Sequence, residues 1–116
     1  MRIVSVTENK KIEKRIAITP EIAKKYISSG FEVVLPKDYG IHLGITDEEY
    51  QKLGVKNSND EKEILSEANV VVQLGLLSDE KCSLLKKDQT LIGVLNSYEN
   101  KDKIHDLTKK KVNVFL

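Results

Sequence analysis

The sequence predicts a doubly wound α/β domain: a mainly parallel sheet with helices on both faces. Three observations predict it. Short apolar runs rich in β-branched residues recur along the 116 residues, at Ile3 to Val6, Val33 to Leu35, Val70 to Val72, Leu91 to Leu95 and Val112 to Leu116. Segments with helical spacing and readable caps lie between them. The runs are apolar on both faces, as strands buried inside a parallel sheet are, rather than alternating.

Taken in order, Arg2 to Thr7 reads as the first strand and Thr7 to Lys14 as a polar loop. Thr19 then supplies an N-cap, Pro20 the first helical position and Glu21 a first-turn acid. Ile22, Ala23, Tyr26 and Ile27 share one helical face, and Gly30 stands where a C-terminal cap belongs. Phe31 to Leu35, closed by Pro36, completes a βαβ unit. A loop with Gly40 and Gly44 follows. Thr46-Asp47-Glu48-Glu49 is a capping box, opening a short helix that buries Tyr50 and Leu53 and stops at Gly54. Val55-Lys56 reads as a minimal strand, Asp60 to Glu67 as a helix on Ile64, Leu65 and Ala68, and Asn69 to Leu74 as a buried strand. Ser78 caps a helix over Asp79 to Leu85, with Cys82 and Leu85 on one side. Thr90 to Leu95 is the next strand. A helix from Glu99 to Lys110 buries Ile104 and Leu107, and Val112 to Leu116 is the last strand. Right-handed crossovers make this alternation doubly wound. No internal repeat or linker interrupts it, so residues 1–116 read as one domain.

Bulk composition narrows the function. A formal charge of +1, with lysine pairs scattered among acids, gives no reason to expect a nucleic-acid partner. Cys82 is the one cysteine, which excludes an intramolecular disulfide and a multi-cysteine metal site. No apolar run approaches the ~20 residues of a membrane span. Lys10, Lys11, Glu13, Lys14 and Arg15 interrupt any leader-like apolar region, so a cytoplasmic chain is the expectation.

No GxGxxG follows a strand and no P-loop sequence exists, so the fold is expected without its own dinucleotide fingerprint. Gly40-Ile41-His42-Leu43-Gly44 is explained by loop geometry. His42 and His105 have no evident third ligand, so no metal site is expected. Cys82, beside Leu84 and Leu85, reads as a small buried thiol. What remains are polar groups at strand ends: Glu8, Arg15, Gln73, Asn96 and Ser97. Doubly wound sheets bind ligands at the carboxyl edge, where the strand order reverses, so these residues are the candidates to line one crevice. An arginine there can fork onto a carboxylate or phosphate, and it can equally be a solvated surface charge. Asn96 can equally cap the helix that follows it. On the residues alone both readings stay open.

At Glu8 and Glu13-Lys14-Arg15-Ile16-Ala17-Ile18-Thr19-Pro20 the chain resembles the N-terminal domain shared by alanine dehydrogenase and the alpha subunit of proton-pumping NAD(P) transhydrogenase. The family opening reads as a strand, a Pro-Lys-Glu turn and then Glu-x-Arg-Val-Ala-x-Thr-Pro; here Val6-Thr7 replaces Pro-Lys. The resemblance continues through Gly44-Ile45-Thr46-Asp47-Glu48-Glu49-Tyr50, Glu67 to Val72 and Thr90 to Asn96. Alanine dehydrogenases carry a lysine shortly after the fourth strand and a histidine after the fifth. The corresponding places here are Gly75 and Asn96, and Arg15 alone cannot supply a general acid or base.

The resemblance therefore implies the transhydrogenase branch, with a Rossmann-like or flavodoxin-like fold and hydride transfer between NAD(H) and NADP(H). It implies that residues 1–116 are most of the N-terminal domain of a longer two-domain subunit. Arg15, Gln73 and Asn96 would line a cleft, with no catalytic, cofactor-binding or metal-binding residue in this stretch. NAD(H) would be held by the second NAD-binding domain and NADP(H) by a partner subunit, so this stretch alone would neither bind cofactor tightly nor turn over. Implied partners are the membrane and NADP-binding subunits, with a homodimer when full length and a location peripheral to the inner membrane. The alternatives are the substrate domain of an alanine dehydrogenase-like enzyme and a non-catalytic α/β binding module.

Overall fold

In a computed structural model, which describes residues 1–8, 14–75, 77–93 and 101–115, six parallel strands form one sheet in the order β3-β2-β1-β4-β5-β6. The strands are β1 (Arg2–Val4), β2 (Glu32–Pro36), β3 (Lys56–Ser58), β4 (Val70–Gln73), β5 (Thr90–Gly93) and β6 (Asn113–Phe115). Helices α1 (Pro20–Ser28), α2 (Asp47–Lys52), α3 (Glu61–Glu67), α4 (Asp79–Cys82) and α5 (Lys101–Lys109) join them. The doubly wound expectation holds. The chain first builds outward from β1 to β2 and β3, then crosses back to lay β4 on the other side of β1. Because crossovers are right-handed, reversing direction also moves the helices to the opposite face.

Alternate residues of each strand supply two cores. Val4, Val34, Val71 and Leu91 face α3, α4 and α5 through Ile64, Leu65, Cys82 and Leu107. Ile3, Val33, Leu35 and Val72 face the other way, against Ala23 of α1 and Tyr50 of α2. The helix ends form as their residues dictate. Thr19 Oγ1 accepts from Ile22 N at 3.3 Å, and Thr46 Oγ1 from Glu49 N at 3.3 Å. Gly30, at φ +93°, closes α1: its N–H reaches Ile27 O and the next N–H, of Phe31, reaches Tyr26 O, both at 3.0 Å.

Several boundaries differ from those predicted. α4 is one turn, Asp79–Cys82, rather than reaching Leu85. Leu84 N and Leu85 N bond back only three residues, to Lys81 O and Cys82 O, and this tighter winding drops Leu85 into the core. β3 begins at Lys56, and Val55 is instead a buried residue held to Tyr50 O at the end of α2. β1 and β4 are shorter than their apolar runs. The predicted ends of the fifth strand and the start of the last helix, within 94–100, lie outside the described residues, as does residue 116. Among the described residues no helix is long and apolar enough to cross a membrane.

Candidate functional site

The strand order reverses between β1 and β4, so the crevice of a doubly wound sheet falls at their carboxyl ends. The backbone ladder between these strands pairs Ile3 with Val70 and Val4 with Val71. Beyond it, the Gln73 side chain continues the pairing. Its Oε1 accepts from Val6 N at 2.8 Å and its Nε2 donates to Val6 O at 3.1 Å, so the amide stands in for a peptide of β4. Oε1 also accepts from Ser5 Oγ at 2.8 Å, and Nε2 donates to Glu8 Oε1 at 3.1 Å. All the bonding capacity of a carboxamide is used, and the alternation of donor and acceptor fixes which end is oxygen. Glu8 Oε1 further accepts from Leu74 N at 2.6 Å, so the loop after β1 is bolted to the end of β4.

From Ser5 the chain of hydrogen bonds runs outward. The Tyr39 hydroxyl donates to Ser5 Oγ at 2.9 Å and accepts from Ala17 N at 3.1 Å and Ile18 N at 3.2 Å. Tyr50 donates to Ile18 O at 2.8 Å, and its ring meets that of Tyr39 edge-on with centroids 6.1 Å apart. Burial raises the pKa of both phenols above the ordinary tyrosine value, so at neutral pH each keeps the proton it donates. His42 Nε2 lies 2.7 Å from Lys14 O, which can only accept, so that ring nitrogen carries the hydrogen. On the other side of the loop, Thr7 N donates to Glu61 Oε2 at 2.8 Å and Lys81 Nζ to Thr7 O at 3.0 Å.

Of the predicted site residues, Arg15 is exposed at the carboxyl edge, on the turn that Tyr39, Tyr50 and His42 hold. Glu8 and Gln73 are in contact. Gln73, however, is 1 % exposed: it braces the switch point from inside and presents almost nothing to solvent along a crevice wall. Asn96 and Ser97 lie outside the described residues. Gly75, half-buried just past β4, has open space where a side chain would project. His105 is exposed, while Cys82 is buried with its thiol 3.5 Å from Leu77 O. The sequence reading missed Ser5, Tyr39 and Tyr50 as partners of the Arg15 turn. The signal that could have found them was Ser5 itself, a hydroxyl in an otherwise apolar strand that must find a buried partner.

A dinucleotide does not fit this switch point. The pyrophosphate of such a cofactor sits on a glycine-rich turn after the first strand. Here the sequence from Thr7 to Lys14 has no glycine, and Gln73 and Glu8 fill the position between β1 and β4.

Comparison with known proteins places these features in a family. The family model described as "Alanine dehydrogenase/PNT, N-terminal domain" matches residues 5–116. The chain is 37% identical over 119 aligned residues to the first polypeptide of the NAD(P) transhydrogenase alpha subunit of Rickettsia prowazekii, covering 99% of this chain and 31% of that protein. Alanine dehydrogenase 1 of Staphylococcus aureus is 30% identical over 102 residues, covering 88% of this chain and 27% of that protein. The crystal structure of transhydrogenase from Sinorhizobium meliloti superposes with a TM-score of 0.86 at 26% identity, over 97% of this chain and 34% of that one. The chain thus spans about a third of the length of the transhydrogenases it matches.

Proposed function

The chain belongs to the alanine dehydrogenase/PNT N-terminal domain family, and from that premise we propose that it is the N-terminal domain of the NAD(H)-binding alpha subunit of a proton-translocating transhydrogenase. In the whole enzyme, hydride passes between NAD(H) and NADP(H), and partner subunits couple the transfer to proton movement. The observation that carries the proposal is the exposed Arg15 on a side-chain-braced turn, beside a switch point closed by Gln73. Such a domain offers a fixed positive charge to one wall of a cleft and leaves the cofactor to a second domain of the same subunit. Direct hydride transfer between two nicotinamides asks a protein for placement rather than for proton exchange. Gly75, with no side chain, meets that demand and supplies no acid or base where an amino-acid dehydrogenase has one.

On this reading residues 1–116 are most of one domain of a two-domain subunit, a homodimer held on the cytoplasmic side of the inner membrane by the membrane and NADP-binding subunits. Tight cofactor binding and turnover belong to the full subunit.

The test is the full-length gene product, assembled with its partner subunits in membrane vesicles. NADH-dependent reduction of an NADP analogue is expected. Robust pyruvate-dependent NADH oxidation without that reduction would overturn the proposal in favour of an amino-acid dehydrogenase.

A further inference from the structure

Lys14 to Ile18 has no regular secondary structure, yet its main chain is held at both ends. His42 binds Lys14 O, Tyr39 binds the consecutive N–H groups of Ala17 and Ile18, and Tyr50 binds Ile18 O. All three side chains come from the 39–50 segment, on the far side of α1 and β2 in the sequence. Two successive N–H groups can meet one oxygen only if the peptide between them is turned so that both point the same way. The hydroxyl of Tyr39 thus selects the backbone geometry two residues after Arg15. It is itself held, because Ser5 takes its proton and Ser5 is in turn bonded to Gln73. Tyr39 is 1 % exposed, so no water substitutes for these bonds without opening the core.

We propose that Tyr39 is a positioning residue for Arg15: its hydroxyl ties the Arg15 turn to the β1–β4 switch point and sets where the guanidinium stands at the carboxyl edge. This rests on the reading of Arg15 as a cleft residue of a hydride-transferring subunit. A phenylalanine at this position keeps the ring and its packing and removes only the oxygen.

The experiment compares Tyr39→Phe, Arg15→Ala and the double variant in the full-length enzyme with its partner subunits. Tyr39→Phe is expected to lower kcat/KM for NADH by about tenfold, the scale at which small misplacements cost activity. In the Arg15→Ala background the same change is expected to cost no further kcat/KM, although its loss of thermal stability persists. Kinetic losses that multiply in the double variant, or a Tyr39→Phe enzyme with parental kinetics, overturn the proposal. Amide hydrogen exchange on the same full-length proteins gives a readout that needs no turnover. Exchange at Ala17 and Ile18 is expected to rise by about tenfold or more in Tyr39→Phe. Where that variant fails to fold, Ser5→Ala, which removes only the acceptor of the phenol proton, is expected to shift the same amides to a smaller extent. Unchanged exchange at these amides overturns positioning whether or not the parent transfers hydride. A parent that transfers none defeats the proposed function separately.

Discussion

Replacing Gln73 by leucine keeps nearly the same side-chain length and removes the carboxamide that joins β1 to β4. Val6 is fully buried, and both its N–H and its C=O are bonded to that amide, at 2.8 and 3.1 Å. Leaving a buried polar group without a partner costs about 1–3 kcal/mol, so orphaning these two costs roughly 2–6 kcal/mol. Domains have a net stability of about 5–15 kcal/mol, so the loss is a large share of the total. With a urea slope of about 1–3 kcal/mol/M, the unfolding midpoint should fall by on the order of 2 M at unchanged slope. Urea titration of parent and Gln73→Leu reads this directly. A midpoint shift below about 0.5 M would refute the reasoning, because Val6 would then have found other partners. Gln73→Glu sharpens the test through pH. Facing Val6 O and the Glu8 carboxylate, the new carboxyl can mimic the amide only when protonated, so its folded pKa is raised. Stability is then kept below the unfolded value near ~4.3 and lost as pH rises, by about 1.4 kcal/mol per unit until the folded pKa is passed.

Three further outcomes are expected. Glu32, bonded to Lys56 at 2.8 Å and to Arg2 at 3.2 Å, has its pKa lowered, first by Lys56 and then by Arg2. The stabilisation lost in Glu32→Gln should be present above the unfolded pKa near ~4.3 and vanish as pH falls through the lower folded value. It should stay below about 1 kcal/mol and shrink in salt, as urea titrations across pH would record. Gly30→Ala meets no atom within 4 Å but must hold φ +93°, so a cost of about 1–2 kcal/mol from the backbone alone should lower the melting temperature by several degrees. Cys82, 7 % exposed, should react with a thiol reagent only as fast as the fold opens, with a rate that rises steeply on approaching the urea midpoint.

Strands and helices were legible because local chemistry and burial agree on them. Thr19, Thr46 and Gly30 act where their residue types predict, and the apolar runs supply all six strands. What local chemistry does not carry is where a strand stops pairing. Ile3 to Val6 is a continuous run, yet β1 ends at Val4 because the next bonds to β4 come from the Gln73 side chain. Likewise the apolar residues after Cys82 are compatible with a longer helix, and the demand to bury Leu85 decides against it. At the site, Glu8, Arg15 and Gln73 were recognisable as edge residues from strand order alone. Their relations were not. The Ser5–Tyr39 bond spans 34 residues and the Ser5–Gln73 bond 68, and no periodicity encodes such pairs.

The placement of polar groups explains why a sheet with a dinucleotide-binding strand order can carry an arginine wall instead. In a binding domain the turn after β1 must leave room for phosphates, so it is built from glycine and keeps its N–H groups open. Here the equivalent N–H groups are already engaged: Val6 N with Gln73, Thr7 N with Glu61 and Leu74 N with Glu8. Those bonds close the crevice but stiffen its rim. Arg15 therefore stands on backbone anchored through Tyr39 and Ser5 to the centre of the sheet, rather than on a loop free to follow its ligand. A charge that must meet a cofactor carried by another domain gains from such rigidity, since little ordering remains to be done when the two walls approach. On the proposed reading, the same side chains that exclude a dinucleotide from this domain make it a fixed reference against which the second domain can place one.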